Sequence, residues 1–177
     1  MTSTKLLVAL VLISGACSKN TATTTAPPVS DPIPMAEASE PSEPSAAGPT
    51  LAAYERVRAL LAADELDGVA DAAREIETAA KTAGGAGTTA PHFAAIASSA
   101  AKIAAASDLS EARAFFGEVS QHVIALLASD KAMARGQHVF ECPMAQGYKK
   151  WVQPSEGLQN PYMGKRMLMC GSESTWQ

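Results

Sequence analysis

Asp108-Leu109-Ser110-Glu111-Ala112-Arg113-Ala114-Phe115-Phe116-Gly117-Glu118-Val119-Ser120-Gln121-His122-Val123-Ile124-Ala125-Leu126-Leu127 is the stretch that decides the fold. Asp108 and Glu111 stand where a capping box needs an acceptor and, three residues on, a carboxylate, with Asp replacing Ser or Thr. Phe115, Phe116, Val119, Val123, Leu126 and Leu127 then recur at helical spacing. The pattern predicts a long amphipathic helix whose buried face includes Phe115.

Reading back toward the N-terminus, three more stripes of the same period appear. Leu51, Tyr54, Val57 and Leu61 form the first. Leu66, Val69, Ala70, Ala73, Ile76 and Ala80 form the second, with Asp64 expected as its cap and Asp67 in its first turn. Gly84-Gly85-Ala86-Gly87 ends it. Thr89 is the expected cap of the third, Pro91 is tolerated in its first turn, and Phe93, Ile96, Ala100 and Ile103 are its stripe. Aromatic residues make up only 5% of the chain, so the core must form from small side chains that let helices approach closely. The connections are short. The expected fold is all-α, an up-and-down four-helix bundle over residues 51–134, followed by a small irregular segment with short β-like pieces.

Residues 1–50 read as an address and a tether. Lys5 precedes the apolar run Leu6 to Ile13, which is too short to span a bilayer. Ser14-Gly15-Ala16-Cys17 resembles the lipobox of bacterial lipoproteins. That resemblance implies cleavage after residue 16, acylation of Cys17 and retention at a membrane; plain secretory cleavage is the alternative. Ser18 in place of Asp is compatible with outer-membrane sorting. The expected location is the bacterial cell envelope, lipid-anchored, on the outer membrane facing the periplasm. Residues 17–50 carry Thr23-Thr24-Thr25, Pro27-Pro28 and the Ser/Glu/Pro run from Glu40 to Ser45, and have too few large apolar residues to order themselves.

Past Ala134 the helical period stops. Arg135-Gly136-Gln137 is a turn, His138 to Cys142 is β-prone, and Pro143, Gly147, Pro154, Gly157, Pro161, Gly164 and Gly171 break any long helix. Residues 135–177 should pack on the bundle through Trp151, Tyr162 and Leu168.

The net charge of −4 and the lack of a basic patch argue against nucleic acid as a partner. No phosphate loop, nucleophile elbow or His-Glu-x-x-His element is present, so nothing points to an enzyme. The chemistry that remains is sulfur. Cys142 and Met144 are two apart and would share a face in an extended segment. Met167 and Cys170 are three apart and would share one side of a helical turn. Two thiolates and two thioethers, with His138 as a possible extra ligand, favour soft Cu(I) or Ag(I) over hard cations. Met163 and Met169 can simply fill gaps. The competing reading is a Cys142–Cys170 disulfide and no metal, worth roughly 3–4 kcal/mol in an oxidising compartment. His122, beside the Phe115/Val119/Leu126 stripe, reads as a packed or interfacial residue, and His92 as a solvated one. A thiol oxidoreductase would want a close Cys-x-x-Cys pair, which the chain lacks.

The order Cys142-Pro143-Met144-Ala145, Trp151, Asn160-Pro161-Tyr162, Gly164, Met167-Leu168 and Cys170-Gly171 resembles an uncharacterised periplasmic domain family. That domain also occurs at the C-terminus of periplasmic adaptor subunits of copper/silver efflux systems. The resemblance covers Leu51 to about Ser172 and implies a helical region ahead of the Cys-Pro-Met segment and a setting in copper or silver handling. Cys-Pro-Met is similar also to the start of small heavy-metal-binding modules, with Ala145 replacing their His. The adaptor's hairpin and barrel domains find no counterpart in residues 1–177, so an adaptor role is not expected. The expectation is a non-enzymatic lipoprotein that binds a soft metal beside a membrane, with a metal-efflux or other envelope protein as partner. The alternative is a disulfide-stapled interaction module.

Overall fold

The computed structural model describes residues 47–177. The expected leader, the acylation site at Cys17 and nearly all of the tether lie outside the described residues. Four helices follow one another: α1 (Gly48–Ala62), α2 (Val69–Ala83), α3 (Ala90–Ala104) and α4 (Leu109–Ser129). α1 packs on α2, α2 on α3, α3 on α4, and α1 also meets α4. The folded part begins earlier than Leu51. Pro49 sits in the first turn of α1, and Ala47 and Thr50 are already buried.

The helix starts correct two expectations. Asp64 does not cap α2. It follows the end of α1 at a φ of 54°, and its carboxylate accepts from the Arg113 guanidinium and the Lys165 amide. α2 starts at Val69, after Gly68 at a φ of 80°, which leaves Leu66 outside the helix and exposed. Thr89 precedes α3, but its hydroxyl donates to the Ala86 carbonyl and caps nothing. The cap at Asp108 is present: its carboxylate accepts from the Glu111 amide at 2.9 Å. Glu111 reaches back to the amide and hydroxyl of Ser107, one residue earlier than a reciprocal box requires.

The predicted stripes bury Tyr54, Val57 and Leu61, then Val69, Ala73, Ile76 and Ala80, then Phe93, Ile96, Ala100 and Ile103. On α4 the fully buried ring is Phe116. Phe115 is only partly buried, with the Lys102 ammonium 5.3 Å from its ring centre. Adjacent helical residues point about 100° apart, so one of the two rings had to leave the core face.

The C-terminal segment is more regular than expected. β1 (His138–Glu141) pairs antiparallel with β2 (Lys150–Gln153) and with β3 (Ser172–Glu173), in the order β2-β1-β3. The fold is therefore not all-α: the described residues form four helices and a small three-stranded antiparallel sheet. β2 lies against α4 and α1. Leu158 is buried, whereas Leu168 is only partly covered.

The scarce aromatic rings are concentrated where sheet meets helices. Tyr54 stacks on Phe116 at 4.9 Å, Phe116 meets Tyr162 at 5.9 Å, Tyr162 meets Trp151 edge-on at 5.9 Å, and Trp151 stacks on Phe140 at 5.7 Å. The Tyr54 hydroxyl accepts from the Val152 amide at 3.2 Å and lies 2.8 Å from Ser120 Oγ. Burial pushes its pKa far up, so it remains a neutral phenol.

Candidate functional site

Cys142 follows the last residue of β1, and its amide continues the ladder to the Lys149 carbonyl at 3.1 Å. The chain then turns, with the Ala145 amide donating to the Cys142 carbonyl. The extended geometry on which Cys142 and Met144 would share a face ends here. Cys142 is fully buried, and Met144 is 57% exposed.

Cys170 arrives from the other side of the sequence. A 3-10 turn, Gly164–Met167, leads into it, and the Cys170 amide donates to the Met167 carbonyl at 2.9 Å. Met167 thus stands one turn before Cys170. The fully buried Asn160 fixes this loop from within. Its Nδ2 donates to the Cys170 carbonyl at 2.6 Å, and its Oδ1 accepts from the amides of Tyr162 and Met163. The Asn-Pro-Tyr element is therefore a side-chain-built turn.

Two glycines permit the close approach. Gly164 has a φ of 59°, and a Cβ there would overlap the Asp64 carboxylate. Gly171 has a φ of 137°, and a Cβ would come within 2.8 Å of the Glu141 carbonyl. The backbone at Gly171 consequently presses against the residue before Cys142.

The outcome is a pair of free thiols, Cys142 Sγ and Cys170 Sγ, 3.1 Å apart and 28 residues apart in sequence. That spacing lies between the ~2.05 Å of a disulfide and the ~3.8 Å expected of two thiolates on one tetrahedral ion. The contact with Cys142 raises the pKa of the Cys170 thiol, and burial adds to the effect. Without a compensating cation, then, Cys170 resists ionisation.

The other sulfur and nitrogen candidates differ in exposure and in partners. Met167 is partly buried. Met144 lines a hollow of about 820 Å³ together with Met163, Tyr148 and Arg166. Met169 is 68% exposed. His138 Nδ1 lies 3.3 Å from the Glu173 carboxylate. Among the described residues no group of three or more His, Cys, Asp or Glu is placed to share a metal ion. Any ion at the thiol pair would have to accept sulfur as its main donor.

Sequence reasoning missed one pairing altogether. His92, expected to be solvated, meets His122 across α3 and α4, with Nδ1 to Nδ1 at 3.2 Å. Neither residue carries a sequence signal for the other, because only the register of the two helices brings them together. It also missed the buried polar residues Gln153 and Arg58. Gln153 accepts from the Trp151 indole at 3.0 Å and donates to the Ser155 and Gly157 carbonyls. Arg58 donates to the Gln159 carbonyl at 2.8 Å. Compared with protein-family models, curated proteins and solved structures, the chain matches none.

Proposed function

We propose that this chain is a non-enzymatic envelope lipoprotein, anchored through Cys17, that captures a soft monovalent ion, Cu(I) or Ag(I), at the Cys142–Cys170 pair. The observation that carries the reading is the 3.1 Å approach of two sulfurs from distant parts of the chain. Two thiolates suffice for an ion that accepts soft ligands at low coordination number. The positive ion would offset the cost of ionising Cys170. Met167, one turn before Cys170, would supply a thioether. Met144 and His138 would join only after leaving the hollow and Glu173 respectively. The resemblance of the Cys-Pro-Met and Asn-Pro-Tyr segments to the copper/silver-associated family supports the metal class. The helices are read as running up and down, since their connections are short.

A second reading has its own support. Cys142 is fully buried and the Cys170 thiol is held protonated, which suits a pair whose resting state is a disulfide. Closing it moves the sulfurs together by about 1 Å and passes two electrons to an oxidant of the compartment, with release of two protons. The domain would then be a stapled interaction module.

Titration of Cu(I) into the reduced chain separates the readings. Metal capture predicts uptake of one equivalent, loss of uptake in Cys170→Ser, and weaker uptake in Met167→Leu with the fold intact. No uptake, together with a native mass lighter by two hydrogens than the reduced chain, would leave the staple as the account.

A further inference from the structure

His92 lies in the first turn of α3 and His122 in the second half of α4, 30 residues apart in sequence. Both are partly buried, with their rings tilted at 50° and centres 5.5 Å apart. Their Nδ1 atoms converge at 3.2 Å. Two imidazole nitrogens on one tetrahedral ion, each bonded at about 2.0–2.1 Å, stand about 3.3 Å apart. The helices therefore already hold the two rings at the bite of such an ion, on backbones fixed by the neighbouring buried residues Phe93 and Val123.

We propose that His92 and His122 form a divalent-metal site of borderline character, for Zn(II) or Cu(II), distinct from the sulfur pair. Imidazole suits such ions; thiolates also take Zn(II), so the two sites are told apart by residue rather than by ion. Water completes the shell, because no third His, Cys, Asp or Glu among the described residues stands at ligand distance and both rings reach the surface. Glu118, one turn before His122, adds a favourable negative charge without ligating. One of its oxygens accepts from Ser99 and Lys102. The site crosslinks α3 to α4, so occupancy ties metal supply to the stability of the helical part.

The competing account of the same geometry is a hydrogen bond between two neutral imidazoles, one Nδ1–H donating to the other Nδ1. Titrating Zn(II) into the full chain, with the imidazole nitrogens followed by NMR, separates the two. The site predicts that the Nδ1 signals of His92 and His122 move together and saturate at one equivalent. His122→Gln should abolish the His92 response and weaken that uptake at least about tenfold, since a lost ligand costs no less than a lost ligand support. Cys142→Ser should leave the response intact, which separates this site from the thiol pair. A response from only one of the two rings, a His92 response that survives His122→Gln, or no response at millimolar Zn(II) would overturn the proposal in favour of the hydrogen bond.

Discussion

α2 and α3 bury Val69, Ala73, Ile76 and Ala80 on one helix and Phe93, Ile96, Ala100 and Ile103 on the other. The end of β2 and the loop after it bury Gln153 and Asn160, and each of these serves several backbone groups. The first region is held by many small apolar areas, each contributing in proportion to its size at roughly 25 cal/mol per Å². The second is held by a few polar side chains that satisfy backbone groups no regular ladder reaches. Damage to the first should be graded, whereas damage to the second should be abrupt and local. The aromatic chain from Tyr54 to Phe140 joins the two, so they should unfold together.

The most direct attempt to break this comparison is Trp151→Ala or Phe116→Ala. Each should cost about 3–5 kcal/mol in denaturant unfolding, since both rings are fully buried. Far-UV and aromatic signals should be lost in one transition. Two separate transitions would show that the junction does not couple the regions.

Asn160→Ala comes next. It strands the Cys170 carbonyl and the Tyr162 and Met163 amides, and about 1–3 kcal/mol follows for each group that water cannot reach. Cys170 should also become faster to alkylate, which a loss in the helical region would not produce. Ile96→Val, its counterpart in α3, should cost only about 0.5–1.5 kcal/mol and leave Cys170 unchanged.

Asp108→Ala should remove about 1 kcal/mol through the lost cap, read as a lower midpoint with an unchanged denaturant slope. The smallest effect is a pH dependence. Arg113 and the Lys165 amide hold the Asp64 carboxyl below its ordinary value of 3.8. A folded pKa below the unfolded one gives stability that is present above about pH 4 and is lost as pH falls through the folded value. Asp64 is partly exposed, so the loss is modest. Asp64→Asn should flatten the acid side of the stability profile, and an unchanged profile would remove Asp64 from the account.

The helices were legible because a period of 3.6 is printed in the sequence wherever one face is buried. The α4 cap was legible for a similar local reason, since Asp108 and Glu111 are three residues apart. Asp64 was misassigned because its partners, Arg113 and Lys165, lie 49 and 101 residues away. The β-prone stretch at His138 was read, but its pairing into a sheet was not, because four residues show barely two alternations and β3 offers only Ser172 and Glu173. For the candidate site, the cysteines were singled out as a pair by residue type, and their sulfurs lie 3.1 Å apart. The position of Met144 was not foreseen, because a turn at Cys142 replaces the extended segment that the spacing assumed. Whether Cys142 and Cys170 meet as ligands or as a staple depends on what surrounds the protein, which spacing does not encode.

The bond from the Val152 amide to the Tyr54 hydroxyl joins residues 98 positions apart. A chain synthesised N-terminus first finishes all four helices before Val152 exists. Until then the Tyr54 and Phe116 rings, stacked on each other, lack the cover of Tyr162 and Val152, and closure over them must await residues 150–162, a non-local and therefore slow step. A nascent or clipped chain that stops before Lys150 would present this sticky face to chaperones and to other copies of itself. Residues 135–177 thus act as the seal over the face that the four helices leave open.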